Sequence, residues 1–305
     1  MDPVNRLPAL AGATGMIFVG GSVAVSGALA DAPVLTVQCL RYALACLLLI
    51  GFARLTGRTP VRPRRTEWWW LSGVVVTGMF AFNLALVFGA RHAEPAVLGV
   101  AVACVPVLLA VAGPLLEGRA VAARFVLAAV VVTAGAGLVQ GFGRTDAVGL
   151  LWALVTFACE AGFTLLAVPV LGRHGALGVS VHATWMAAAL FGLVGLVSEG
   201  PAAVARLRAD DLAAAGYLAV GVTALAFVLW YTCVERLGPD RAGLLTGIAP
   251  IAAAATGVAL GGPMPSPLVW AGIGVVAAGL ALGLRPVARP LRRIAAARRS
   301  LERTI

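Results

Sequence analysis

Apolar runs of about twenty residues recur from one end of this chain to the other, separated by short charged or Gly/Pro-containing connections. A helix of that length crosses roughly 30 Å of hydrocarbon. Within lipid, every backbone polar group must be satisfied inside the protein. The composition points the same way, with 61% hydrophobic residues, 12% charged residues and a mean hydropathy of +0.97; a soluble domain carries about 25% charged residues. A water-soluble globule, a disordered chain and a coiled coil are excluded. The expected fold is all-α and polytopic, with ten spans near 9–29, 33–53, 68–90, 95–116, 121–141, 147–169, 178–198, 212–233, 241–261 and 267–284.

The chain has no lysine, so its net charge of +10 is arginine against carboxylate. An isoelectric point near 10.8 would suggest nucleic acid in a soluble protein. Here the basic residues lie between spans, so membrane lipids are the expected partner and nucleic acid is not. With the N-terminus inside, eighteen arginines fall on cytoplasmic segments and four (Arg91, Arg144, Arg206, Arg208) outside, while Arg41 lies within a span. This bias predicts cytoplasmic termini and a basic cytoplasmic tail over 285–305. The Ala/Gly/Arg-rich, lysine-free composition suggests a GC-rich bacterial gene, and a bacterial inner membrane is the expected location. Ala28-Leu29-Ala30 resembles a signal cleavage site, but removing the first span would leave nine and break the repeat described next.

Displacing the sequence by 144 positions lays Pro95 on Pro239, Gly99 on Gly243, Pro106 on Pro250 and Gly113 on Gly257. Five spans per copy is an odd number, so the second copy runs through the membrane upside down. Inverted repeats of this kind build secondary carriers, with the substrate site near the midplane. The expected units are 1–141, 142–284 and the tail 285–305. No connection is long enough to fold alone and no GxxxxGK[ST] loop occurs, so transport would draw on a gradient. HExxH, GxSxG and paired in-span acids are also absent, which argues against an enzyme. Cys39, Cys46, Cys104, Cys159 and Cys233 all fall in apolar runs without a CxxC pair or His cluster; they read as small buried hydrophobes, with no metal or cofactor expected.

Ala32-Pro33-Val34 leading to Leu40-Arg41-Tyr42-Ala43-Leu44-Ala45 resembles the second helix of the drug/metabolite transporter superfamily, EamA type. Val97 to Arg119, with mid-span Pro106 and the ending Leu116-Glu117-Gly118-Arg119, resembles it too, and Gly238-Pro239 through Pro250 to Gly261-Gly262 repeats the pattern. Gly261 stands where that family often keeps a Glu, which weakens a functional role for Glu117. The resemblance implies a monomeric ten-helix carrier with a central cavity between its halves and peripheral helices 5 and 10. It also implies export of amino acids or other small metabolites, and in length and organisation the chain is similar to the YddG-like aromatic amino-acid exporters. Drugs, nucleotide sugars or a channel-like activity are the alternatives.

A polar group inside hydrocarbon is costly, which singles out the few ionisable in-span residues. Glu160 lies near the middle of span 6 on one helical face with Trp152, Thr156, Phe163 and Thr164. An acid among aromatics could hold an amino group or relay a proton, or it could bond a neighbouring helix. Arg41 could pair with a substrate carboxylate, snorkel, or cap carbonyls; a Glu160–Arg41 pair is conceivable. His182 falls opposite Gln38 under the displacement and is either a titrating group or a satisfied core histidine. Asn83 shares a face with Met79, Phe82 and Leu86, and a buried amide needs a partner on another helix or a ligand. Tyr231, Trp230 and Phe227 come late in span 8, facing either the cavity or the interfacial belt. Pro106 and Pro250 are expected bending points, flanked in span 9 by Gly243-x3-Gly247 and Gly257-x3-Gly261.

Overall fold

The structure, a computed structural model, describes residues 3–26, 29 and 32–284. The chain forms α1 (Pro3–Ser26), α2 (Val34–Leu55), α3 (Glu67–Gly89), α4 (Pro95–Leu116) and α5 (Ala123–Gln140). It continues as α6 (Ala147–Leu165), α7 (Val168–Ser198), α8 (Ala209–Leu237), α9 (Pro239–Ala259) and α10 (Pro267–Leu284). Among the described residues, the nine helices α2 to α10 are long and apolar enough to cross a membrane; α1, of 24 residues, packs against α8 and α9 in the same bundle. The described residues form no strand. A single antiparallel bridge, Ala93 to Thr145, ties the α3–α4 turn to the α5–α6 turn. The expected basic tail and Ala28 and Ala30 of the cleavage-like triplet lie outside the described residues.

Local chemistry sets the helix ends. Pro95 and Pro239 start α4 and α9, where a missing N–H costs nothing. Asp146 caps α6 by accepting from the Gly149 N–H at 2.7 Å. Three helix starts differ from the hydropathy expectation by three residues or more. Span 1 begins at Pro3, not 9. Helix α8 begins at Ala209, not 212, because the Asp211 carboxylate accepts from the Arg208 N–H at 2.8 Å and nucleates an earlier turn. Helix α7 begins at Val168, not 178, but Gly175 (φ 63°, ψ 170°) interrupts it, so a short helical segment, 168–174, precedes the longer helix.

The packing has the symmetry of a two-fold pair. Helix α1 lies on α8 as α3 lies on α6; α1 meets α9 as α4 meets α6; α2 meets α8 as α3 meets α7. Helices α2 with α7, α4 with α9 and α5 with α10 pack on their own counterparts. Along the α5–α10 seam the backbones nearly touch: a Cβ on Gly272 would lie 2.8 Å from the Gly135 carbonyl oxygen. Small residues permit that approach where no hydrophobic drive separates helix from lipid.

The backbone irregularities are paired as well. Helix α3 carries a π-helical turn over Val76–Ala81 and α8 one over Leu218–Leu225, which overlap when displaced by 144 positions. Helix α4 breaks at Cys104 just before Val105-Pro106, and α9 tightens to a 3-10 turn over Leu245–Gly247 just before Ile248-Ala249-Pro250. Both prolines therefore sit in the first turn of a restarted helix, where no N–H donor is required. Departures of this kind are frequent at functional positions in helices.

Candidate functional site

Helix α6 turns its leucines Leu150, Leu151 and Leu154 outward, each more than half exposed, and its opposite face into the bundle. On that inner face, one turn to either side of Glu160, Thr156 is 0% and Thr164 1% exposed. Glu160 itself is only half-buried. Among the described residues it makes no hydrogen bond or ion pair, although it acts electrostatically on Tyr231 of α8 and on Cys159. Helix α8 has the same signature: Thr223 and Tyr231 are wholly buried, and Phe227 between them is half-buried.

Aromatic side chains pack between α6 and α8 next to these positions. Phe163 lies 5.0 Å from Phe227 and 5.1 Å from Tyr231 between ring centroids, and the Tyr231 hydroxyl donates to the Phe163 carbonyl at 3.2 Å. The Trp230 indole N–H donates to Thr164 Oγ1 at 3.1 Å, pinning α8 to α6. Gly78, in the π turn of α3, lets the Phe163 ring seat: a Cβ there would fall 2.2 Å from a ring carbon. A second aromatic group, Tyr42, Phe80 and Phe191, stacks at 5.5 and 5.2 Å across α2, α3 and α7.

A polar relay runs across the bundle beside these rings. Gln38 Nε2 donates to Asn83 Oδ1 at 2.7 Å, and Asn83 Nδ2 donates to the Met79 carbonyl at 2.5 Å. Arg41 donates from Nη1 to Gln38 Oε1 at 3.2 Å and from Nε to Thr223 Oγ1 at 2.8 Å; Thr223 in turn donates to the Leu218 carbonyl at 2.9 Å. Met79 and Leu218 belong to the two π turns. Two residues of α2 thus tie the backbone defect of one half to that of the other, with the Arg41 guanidinium 5.0 Å from the Tyr42 ring.

The candidates divide on this map. Glu160, Phe163, Phe227 and Tyr231 meet between α6 and α8, while Asn83, Met79 and Arg41 meet in the relay. Phe82 is half-buried on the first turn after the α3 π segment. The conceivable Glu160–Arg41 pair is not formed: Arg41 is occupied by Gln38 and Thr223. Trp152, three turns N-terminal to Phe163 along α6, stacks on Phe88 at 5.6 Å near the end of α3 instead of joining that group. His182 is a satisfied core histidine: one ring nitrogen lies 2.9 Å from the Val61 carbonyl, the other receives the Trp185 N–H at 3.3 Å, and Trp68 stands edge-on. Gln38 and Thr223 were not singled out as site residues by sequence, although Gln38 lies one helical turn from Arg41 on the same face.

Both ends of the bundle are latched by ions. On the arginine-poor face Arg144 Nε donates to Glu94 at 2.9 Å and the His92 ring lies 3.0 Å from Asp146. The Arg144 guanidinium holds the Glu94 carboxyl below the usual range; the Gly149 N–H, then the His92 ring, do so for Asp146. On the opposite face Arg119 bridges Glu117 of its own half and the buried Asp240 of the other, giving Glu117 a structural partner. All five cysteines are free thiols; Cys39 and Cys104 are half-buried and the other three buried. Among the described residues no group of His, Cys, Asp and Glu could hold a metal ion.

Comparison with known proteins supplies the wider setting. The chain is 24% identical over 257 residues to the uncharacterized transporter YetK of Bacillus subtilis (strain 168), covering 79% of this chain and 76% of that one. A solved structure described only as "Crystal structure of protein" superposes with a TM-score of 0.77 over 91% of this chain and 96% of its own, at 18% identity. That likeness shows the fold alone. The EamA-like transporter family matches residues 7–140 and again 147–285. The chain therefore belongs to the EamA-like transporter family and is a multi-pass membrane transporter of the drug/metabolite superfamily.

Proposed function

We propose that the protein exports small amino-group-bearing metabolites, amino acids first among them, by alternating access through a central cavity that Glu160 lines. The observation that carries this reading is the half-buried, unpaired Glu160 carboxylate between wholly buried Thr156 and Thr164, with Phe227 and Phe163 beside it. A carboxylate flanked by aromatic faces binds an ammonium group by charge and by the ring quadrupole. Arg41 and Asn83, already polarised within the relay, supply donors for the carboxylate end of an amino acid. The apolar remainder of the lining suits an aromatic or other apolar side chain.

Each half forms one repeat, about 1–141 and 142–284, and the two rock about the prolines Pro106 and Pro250, where α4 and α9 are already broken. The protein works as a monomer in a bacterial inner membrane with both termini cytoplasmic, an orientation that the bias of eighteen arginines against four supports. The aromatic group at Phe163, Phe227 and Tyr231 is then the cytoplasmic closure. An organic-cation drug is the second reading, because an aromatic-flanked acid accepts any ammonium group.

Counterflow in proteoliposomes tests both. Vesicles preloaded with one aromatic amino acid should transiently accumulate the labelled compound, and Asn83→Leu should abolish this. Accumulation of cationic drugs alone, indifferent to Asn83→Leu, selects the second reading. Nucleotide-sugar counterflow without either overturns both. Glu160→Gln assayed from about pH 5.5 to about 8 separates uniport from proton coupling.

A further inference from the structure

Between α2, α7 and α8, on the arginine-rich face, lies a cavity of about 360 Å³ that the transport reading does not use. Its walls are Phe52 of α2, Val228 and Thr232 of α8, the connection Arg58-Thr59-Pro60, and the start of the crossing part of α7. Three independent features converge there.

The first is a helix N-terminus. Gly175 breaks α7, so residues 176–198 begin a fresh helix of six turns, and Ala176, Leu177 and Gly178 line the cavity with its first turn. The leading N–H groups of a helix lack intrahelical acceptors and carry about half a positive charge. The second is charge. Arg58 and Arg236 both line the cavity, both are exposed, and neither has an ionic or side-chain hydrogen-bond partner among the described residues. Glu235 also lines it, so two guanidinium groups against one carboxylate leave one net positive charge. The third is His174, whose side chain is 0% exposed. Its Nε2 faces Glu67 at 3.1 Å, and its Nδ1 is the one buried side-chain nitrogen or oxygen without a partner among the described residues. That atom sits against the first turn, 3.9 Å from where a Gly178 Cβ would be. A buried polar atom left unpaired in this way costs about 1–3 kcal/mol.

We infer that this cavity binds a phosphate ester carrying a single negative charge, its oxyanion seated on the α7 N-terminus between Arg58 and Arg236. A phosphate at a helix N-terminus flanked by arginines is a recurrent arrangement. His174 Nδ1 accepts from a hydroxyl of the ester. Phe52 and Val228 give the cavity an apolar wall, so a phospholipid headgroup and a soluble phosphate compound share the chemistry.

The test uses the full chain purified in a neutral detergent. Short-chain phosphatidylglycerol, phosphatidylcholine and inorganic phosphate are titrated separately, reading binding by calorimetry and amide exchange over 174–180. Binding of phosphatidylglycerol that slows exchange there, and that Arg58→Gln/Arg236→Gln weakens at least tenfold, is the expected result and assigns a lipid headgroup. The same pattern with inorganic phosphate alone assigns a soluble ester. Arg62→Gln/Arg64→Gln, on the same connection but outside the cavity, should change affinity less than twofold. An equal loss in that control, unchanged exchange over 174–180, or no binding of any probe overturns the inference.

Discussion

The two halves of this transporter share their backbone irregularities but not their chemistry. Pro95 matches Pro239, Pro106 matches Pro250, and the π turn of α3 overlaps that of α8. Under the same displacement, Glu160 falls on Met16, Asn83 on Phe227, Arg41 on Trp185 and Thr223 on Met79. These four polar residues therefore have apolar counterparts, whereas Gln38 of the relay falls on another polar residue, His182. Symmetry governs where the helices depart from regular geometry. Binding needs only one set of polar groups, and a second set buried in lipid would cost free energy for nothing gained.

The sharpest test of that contrast exchanges counterparts. Glu160→Gln should lower transport at least tenfold, since a lost charge-assisted contact is worth about 1.5–3 kcal/mol. Met16→Leu, a near-isosteric change at the matching position, should leave transport within twofold. Equal losses at the two positions would show that the halves share the chemistry after all.

Packing comes next in size. Gly78→Ala should destabilise the protein by about 1–3 kcal/mol, because the new methyl meets the Phe163 ring. Gly137→Ala on α5, where nothing lies within 4 Å of the new atom, should be neutral or stabilising by up to about 1 kcal/mol. Thermal unfolding in detergent compares them. The relay is tested by Thr223→Val, which removes the acceptor for Arg41 Nε and should cost about 1–3 kcal/mol. Thr232→Val, which loses only a bond to its own helix at Val228, should cost less than about 0.5 kcal/mol.

The smallest effect concerns the arginine-poor latch. Glu94 and Asp146 have depressed carboxyl pKa values in the folded state, so their contribution is present above about pH 4 and is lost as pH falls through the depressed values. Amide exchange over 92–94 and 144–146, corrected for intrinsic rates, should stay constant from about pH 7 to about 5 and rise below about pH 4. Rates that stay constant down to about pH 3 would contradict this.

Much of the fold was legible because lipid enforces a crude rule. Each apolar run became a helix, and prolines at equal spacing marked the paired breaks. The π turns were not legible: Val76–Ala81 and Leu218–Leu225 contain no proline, and nothing in their composition separates them from ordinary helix. The relay was only half legible. Asn83 and Arg41 stood out as polar groups within spans, but Arg41 finds its acceptor 182 residues away on α8, a pairing no local pattern encodes. His182 stood out for the same reason and proved to be held by Val61 and Trp185, because a polar side chain within a span can be satisfied by a backbone carbonyl as readily as by a ligand.

Solvent access at position 160 tests the central claim most directly. Glu160→Cys in a chain whose five native cysteines are replaced by alanine, reconstituted in liposomes, is exposed to a membrane-impermeant maleimide from one side and then the other. Labelling from each side, slowed by transported substrate, is the predicted result. A thiol that reacts from neither side, in a protein that still folds, would contradict it.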